Sequence, residues 1–253
     1  MKCKTALNKT FLILVLAALS SCSFSKKIVY LQSDKDLKAT SEITNYEPLI
    51  QPDDEVMIII SAENPEVAVP YNIVTTGNGV ASSAQQGYLI DKEGNIDFPI
   101  LGKIKLGGFT RIQAVNKIKS LLANDIKDPT VNLRVTNFKV SVLGEVGSPG
   151  LKSIQSERLT LLDALSMSGD LTVYGKRNSI MIIRENEGIR TIEKVDITKR
   201  DFMTSPYYYL AHNDIIYVEP NKTKINSSAI GPNVSIIVSI LSLLTTILFL
   251  VIK

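Results

Sequence analysis

Between Ile225 and Ile252 the chain carries no charged residue, and no other feature limits its folding so strongly. Val234 to Ile252 is apolar apart from five serines and threonines. A helix of that length, rising about 1.5 Å per residue, is about 28 Å long, close to the ~30 Å hydrocarbon core of a bilayer. The pattern therefore predicts a transmembrane helix over 233–253. Pro232 and Asn233 suit its start, because proline costs a helix no hydrogen bond in the first turn. At about 100° per residue, Ser235, Ser239, Ser242 and Thr246 share one face about 60° wide. Such a polar face either meets neighbouring helices or a watery lumen, or consists of hydroxyls bonded back to their own backbone.

The other end is also apolar, but differently built. Lys2, Lys4 and Lys9 precede an apolar run from Phe11 to Leu19 that is too short to span, the layout of a secretion signal. The run closes on Leu19-Ser20-Ser21-Cys22, which resembles a bacterial lipobox, where the cysteine is acylated and the chain is cut just before it. Residues 1–21 then read as a lipoprotein signal peptide, Cys22 as the lipidation site and 22–47 as a lipidated tether. The other reading is an ordinary signal peptide with an incidental cysteine. Losing Lys2, Lys4 and Lys9 brings the basic residues level with the 25 acidic ones. A neutral chain has no electrostatic footprint for nucleic acid, so no nucleic-acid partner is expected. Cys3 leaves with the signal, so no disulfide, thiolate metal site or cofactor is expected.

Between the ends strands outnumber helices and no βαβ rhythm appears. "EVMIIIS", Glu55 to Ser61, reads as a buried strand. The segment "NPEVAVPYNIVTTGNGVASSAQQ" reads as a mobile loop of small and polar residues. "GYLIDKEGNIDFPILGKI" reads as two short strands around Glu93-Gly94-Asn95. Thr110 and Gln113 form a capping box that opens a helix with Ile112, Val115, Ile118 and Leu122 at helical spacing. The strand "TVNLRVT" follows Asp128-Pro129. A second round repeats the theme: strand "KVSVLGEV", turn "GSPG", a helix capped by Thr160 with Asp163 and ending at Gly169, and strands "SIMIIRE", "IRTIEKVDI" and "DIIYVEP". "IQPDDEVMIII" and "LAHNDIIYVEP" both place an aliphatic residue four before an Asp that leads an apolar run. The expected fold class is α+β: two small mixed-sheet modules, each with one helix, and a C-terminal transmembrane helix.

In that order, "IQPDDEVMI", "YLIDKEGNIDFPILGKIKLGGFT", "DPTVNLRV", "VLGEVGSPG" and "LTLLDALSMSGDLT" resemble the bacterial outer-membrane polysaccharide export lipoproteins, the Wza-type capsule exporters. The resemblance runs from about Pro48 to Pro220. It implies an export domain over 48–136, one SLBB β-grasp-like domain over 137–221, a linker over 222–232 and the terminal helix over 233–253. Asp53 and Asp170 stand where the family usually has glycine, and Asp tolerates left-handed backbone better than most residues. The family implies a lipid-anchored, homo-oligomeric ring in the outer membrane, its soluble domains in the periplasm and its terminal helices together crossing the membrane. The ring would pass a polysaccharide passively, fed by an inner-membrane polysaccharide co-polymerase or transporter.

No catalytic residue is expected. The single histidine, His212, stands in a turn, where a solvated ring is the simplest reading. Asp53 and Asp54 adjoin within one turn and nominate no acid and base across a cleft. Tyr207, Tyr208 and Tyr209 are a candidate glycan contact, since tyrosine joins an apolar plate to a hydroxyl. In a strand alternate members face opposite sides, so at least one would pack inward. The competing function is a non-transporting envelope lipoprotein that binds a partner or cell-wall polymer through its β-grasp modules.

Overall fold

The computed structural model describes residues 28–32, 46–72, 74–75, 84–85, 87–186, 188–229 and 233–251. Cys22, the signal and most of the tether lie outside the described residues, as does the middle of the segment expected as a loop.

Two hydrophobic cores form, one ending at Val135 and the next starting at Phe138. The first gathers on β1 (Glu55–Ser61), where Val56, Ile58 and Ile60 point inward at the strand period of two. β1 lies between β4 (Tyr88–Leu89) and β7 (Thr130–Val135), antiparallel to both. This sheet is thus purely antiparallel, where a mixed one was expected. Ahead of it, Asn64 caps a helical turn, α1 (Pro65–Ala68), by accepting the Glu66 N–H at 3.1 Å. A short ribbon of β2 (Val74–Thr75) and β3 (Ala84–Gln85) follows. The expected loop therefore holds regular structure, because Asn64-Pro65 is a helix start and Asn72 pins the chain to β1 through Ile60.

The hairpin also differs from expectation. Asn95 opens β5 (Asn95–Phe98), which pairs with β6 (Gly102–Lys105) around Pro99-Ile100-Leu101, while β4 pairs with β1 instead. The turn at 91–95 is closed by Asp91, whose carboxylate accepts the Asn95 N–H at 2.6 Å. It serves as a corner between two sheets.

Helix α2 (Arg111–Leu122) starts at the capping box expected for it. Gln113 N–H donates to Thr110 Oγ1 at 3.3 Å and Thr110 N–H to Gln113 Oε1 at 3.0 Å. Ala114, Ile118 and Leu122 are its buried face, while Ile112 is exposed, so the apolar stripe is rotated from the one read in the sequence.

The second core lines a five-stranded sheet ordered β11-β10-β12-β8-β9, from β8 (Lys139–Gly144), β9 (Gly150–Ser153), β10 (Gly175–Asn186), β11 (Ile189–Val195) and β12 (Ile215–Pro220). Only β12 and β8 are parallel; the sheet is mixed, as expected. Helix α3 (Leu161–Met167) covers it, capped by Thr160 and Asp163, and buries Leu161, Ala164 and Leu165. Asp170 follows at φ 62 and Asp53 stands at φ 67, so both take the left-handed backbone anticipated at glycine positions. From the tether, Leu31 N–H donates to the Ile197 carbonyl at 3.1 Å, and Tyr30 donates its hydroxyl hydrogen to Asp170.

The chain closes with α4 (Lys222–Ala229) and α5 (Asn233–Val251). Among the described residues no helix is long and apolar enough to cross a membrane. The transmembrane helix expected over 233–253 is therefore withdrawn.

Candidate functional site at the seam between the modules

Two turns built alike meet where the modules join. Before β1, Asp54 N–H donates to the Gln51 carbonyl at 3.2 Å, and Gln51 N–H donates to Asp54 Oδ2 at 2.8 Å. Before β12, Asp214 N–H donates to the Ala211 carbonyl at 3.2 Å, and Ala211 N–H to Asp214 Oδ2 at 2.8 Å. The residue between is left-handed in each, Asp53 at φ 67 and Asn213 at φ 64. Each turn also lies against its module's capping threonine, Leu49 bridging to Thr110 and Tyr209 to Thr160. The sequence likeness between "IQPDDEVMI" and "LAHNDIIYV" thus corresponds to one local structure used twice, ahead of the helix in the first module and after it in the second.

Asp54 has one more partner. Its Oδ1 meets His212 Nδ1 across the seam, with the side chains 3% and 4% exposed. His212 is therefore buried, not solvated, and its ring lies 5.8 Å from that of Phe138. The junction at Asn137 is held too: Glu55 N–H donates to Asn137 Oδ1 at 2.9 Å and Asn137 Nδ2 to the Asp53 carbonyl at 2.8 Å. Arg111 reaches Glu157 at 3.1 Å, an exposed pair of the sort that contributes little.

Above this floor opens a cavity of about 440 Å³, lined from both modules by Arg111, Arg134, Gln155 and Arg158 among others. Tyr46 is part of its wall and stacks on Tyr209 at 4.7 Å with the rings 6° from parallel. Arg158 lies 6.0 Å from the Tyr209 centroid. Burial pushes the Tyr46 hydroxyl up, with Arg184 opposing and Asp214 reinforcing the shift. Arg184 forks onto Asp214 at 2.9 and 2.7 Å and donates to the Tyr209 carbonyl at 3.0 Å. Burial works against its charge, but the Asp214 carboxylate outweighs burial and raises its pKa.

The three tyrosines are divided. They occupy a turn, not a strand: Tyr207 stacks under Arg184 at 5.1 Å, Tyr208 packs on Phe202 at 5.3 Å, and Tyr209 alone joins the stack at the seam. The hydroxyl residues of α5 lie far along the chain from this site. Ser242 Oγ donates to the Ser239 carbonyl and Thr246 Oγ1 to the Ser242 carbonyl, each at 2.8 Å, so these two hydroxyls are bonded to their own helix. Ser235 starts the same helix, with its side chain outside the described residues.

Chemically, the buried pair is a fastening. A general base needs an open nitrogen within reach of its substrate, and His212 Nε2 is buried without a hydrogen-bond partner among the described residues. Among the described residues no group of three or more His, Cys, Asp or Glu is placed to hold a metal ion.

Comparison with known proteins assigns both halves. Residues 42–136 match the family of polysaccharide biosynthesis/export proteins, and residues 138–218 match the SLBB domain. Two curated relatives share the name EPS I polysaccharide export outer membrane protein EpsA. The one from Ralstonia solanacearum is 27% identical over 177 residues, 66% of this chain and 47% of the relative. The one from Ralstonia nicotianae is 32% identical over 141 residues, 51% of this chain and 37% of the relative. The chain thus spans less than half the length of these relatives.

Proposed function

We propose that this chain, which belongs to the polysaccharide export family, serves the export of a capsular or extracellular polysaccharide at the outer membrane. One observation carries the reading: an export segment and an SLBB segment follow one another in a single chain and are locked together at a buried seam. The two relatives, named as polysaccharide export proteins of the outer membrane, support it. The matched family is described as one of polysaccharide biosynthesis/export proteins, and we take the chain to act without catalysis.

A hydrated polymer is too polar to enter hydrocarbon, and one small globular body encloses nothing. We therefore take the working unit to be a homo-oligomeric ring, since copies joined head to tail close a cycle round an axis. Acylated Cys22 anchors each copy to the outer membrane and leaves both modules in the periplasm, where an inner-membrane polysaccharide co-polymerase or transporter hands over the chain. Transport through such a ring is passive.

Deleting the gene and measuring surface polysaccharide tests this directly. Loss of the coat, restored by the wild-type gene, is expected. A full coat in the deletion strain, with no related gene in the genome, overturns the reading. Cys22→Ser should release the protein from the membrane fraction, and gentle detergent extraction should yield a particle several times the mass of one chain.

A further inference from the structure

We propose that the cavity at the seam binds an acidic sugar unit, a pyranose ring bearing a carboxylate. The proposal rests on the export reading and names the chemistry of the polymer exported. At about 440 Å³ the cavity falls within the range of small-molecule sites, roughly 300–1,000 Å³.

Its charges indicate the ligand. Of the carboxylates in the wall, Asp54 is held by His212 and Glu157 by Arg111. That leaves Glu47 facing Arg134 and Arg158, neither of which has a carboxylate within ion-pair distance among the described residues. Arg134 and Arg158 thus present guanidinium groups to the cavity without an ion-pair partner among the described residues, and the planar fork of a guanidinium matches a carboxylate.

The remaining wall fits a sugar ring. Tyr46, held in the wall by its stack on Tyr209, is the aromatic side chain offered to a pyranose, which presents C–H groups on one side that pack on an aromatic ring. Gln51, Gln155 and Ser156 supply both donors and acceptors for hydroxyls, and Glu47 accepts from them. Arg134 belongs to β7 of the first module and Arg158 to the loop ahead of α3 in the second, so the ligand bridges the seam. Binding therefore requires the modules to be docked, and it reinforces the docking.

The only histidine of the chain lies in the cavity wall, which makes its ring resonance a single-residue reporter. Full-length protein without a histidine tag, in detergent, is titrated with glucuronate, with a glucuronate-bearing tetrasaccharide and with a neutral tetrasaccharide. A saturable shift of the His212 signal with an acidic sugar, absent with the neutral one, is expected. Tighter binding of the acidic tetrasaccharide would name the polymer as the source, and equal binding of glucuronate a free sugar acid. Arg134→Gln and Arg158→Gln should each weaken binding about tenfold or more, while leaving the unliganded His212 signal and the denaturation midpoint in place. No shift at millimolar acidic sugar, or equal shifts with the neutral sugar, overturns the proposal. A blank titration in a protein whose deletion strips the coat ends this proposal alone. An intact coat in the deletion strain ends the export reading, and the titration still decides what the cavity binds.

Discussion

His212 and Asp54 stand 158 positions apart in sequence and meet side chain to side chain with both almost sealed from solvent. Each comes from the same kind of turn in its own module, so the fold has placed two copies of one structural device face to face. His212→Ala removes the side-chain partner of Asp54 Oδ1 at a buried position, and leaving a buried acceptor unsatisfied costs about 1–3 kcal/mol. Urea denaturation of the variant should show this loss and split into two transitions as the modules come apart. Replacing both partners, Asp54→Asn with His212→Phe, should recover much of it, because an apolar ring still packs on Phe138 and no charge remains buried. A His212→Ala midpoint equal to the wild type would mean that the seam is held elsewhere.

The two capping boxes give matched tests within each module. Thr110→Ala and Thr160→Ala each remove the side-chain acceptor for a helix N–H, so each should cost about 1 kcal/mol. Thr160→Ala should cost the more of the two, because the Thr160 hydroxyl also donates to Asp163 at 2.6 Å. Equal midpoints for wild type and both variants would show that tertiary packing alone sets these helix starts.

Asp53 and Asp170 share a left-handed backbone but differ in what their side chains do. The Asp53 side chain makes no hydrogen bond among the described residues, so Asp53→Gly should be neutral or stabilise by up to about 1 kcal/mol, as glycine adopts that region without strain. The Asp170 carboxylate accepts the Leu171 N–H at 2.7 Å and the Tyr30 hydroxyl hydrogen. Asp170→Gly should therefore destabilise, and it should free the tether, which limited proteolysis near residue 30 would register as faster cleavage.

What could be read from the sequence is what depends on near neighbours. Thr110 with Gln113, Thr160 with Asp163 and the branched apolar run of Glu55–Ser61 are patterns of a few residues' reach, and all became structure. β9 escaped because Gly150–Ser153 is a short edge strand with no buried alternation. The hairpin was assigned to the wrong turn because 91–95 is a turn as well, and only pairing with distant β1 decides its role. The seam was beyond reach for the same reason. A lone histidine in a turn looks solvated until the partner turn is laid against it, and the one available signal was the likeness of "IQPDD" to "LAHND".

Tyr88 offers a test of alkaline stability. Its hydroxyl is buried without a hydrogen-bond partner among the described residues, its ring packs on Phe98 at 5.2 Å, and burial pushes the phenol up to about 12 from the ordinary 10.0. In the unfolded chain the phenol loses its proton near pH 10, while in the fold it holds the proton until about pH 12. The neutral phenol is thus favoured by folding, and stability is complete below pH 10 and falls as the pH climbs towards 12. Tyr88→Phe removes both the titration and a polar atom that burial leaves unsatisfied, at the loss of no bond. The variant should be more stable at neutral pH by about 1 kcal/mol, and its stability should decline less steeply between pH 10 and 12. Urea midpoints across that range measure both effects together. An alkaline limb as steep in the variant as in the wild type would shift the cause to Tyr30, whose phenol is also raised to about 12 through burial and the Asp170 contact.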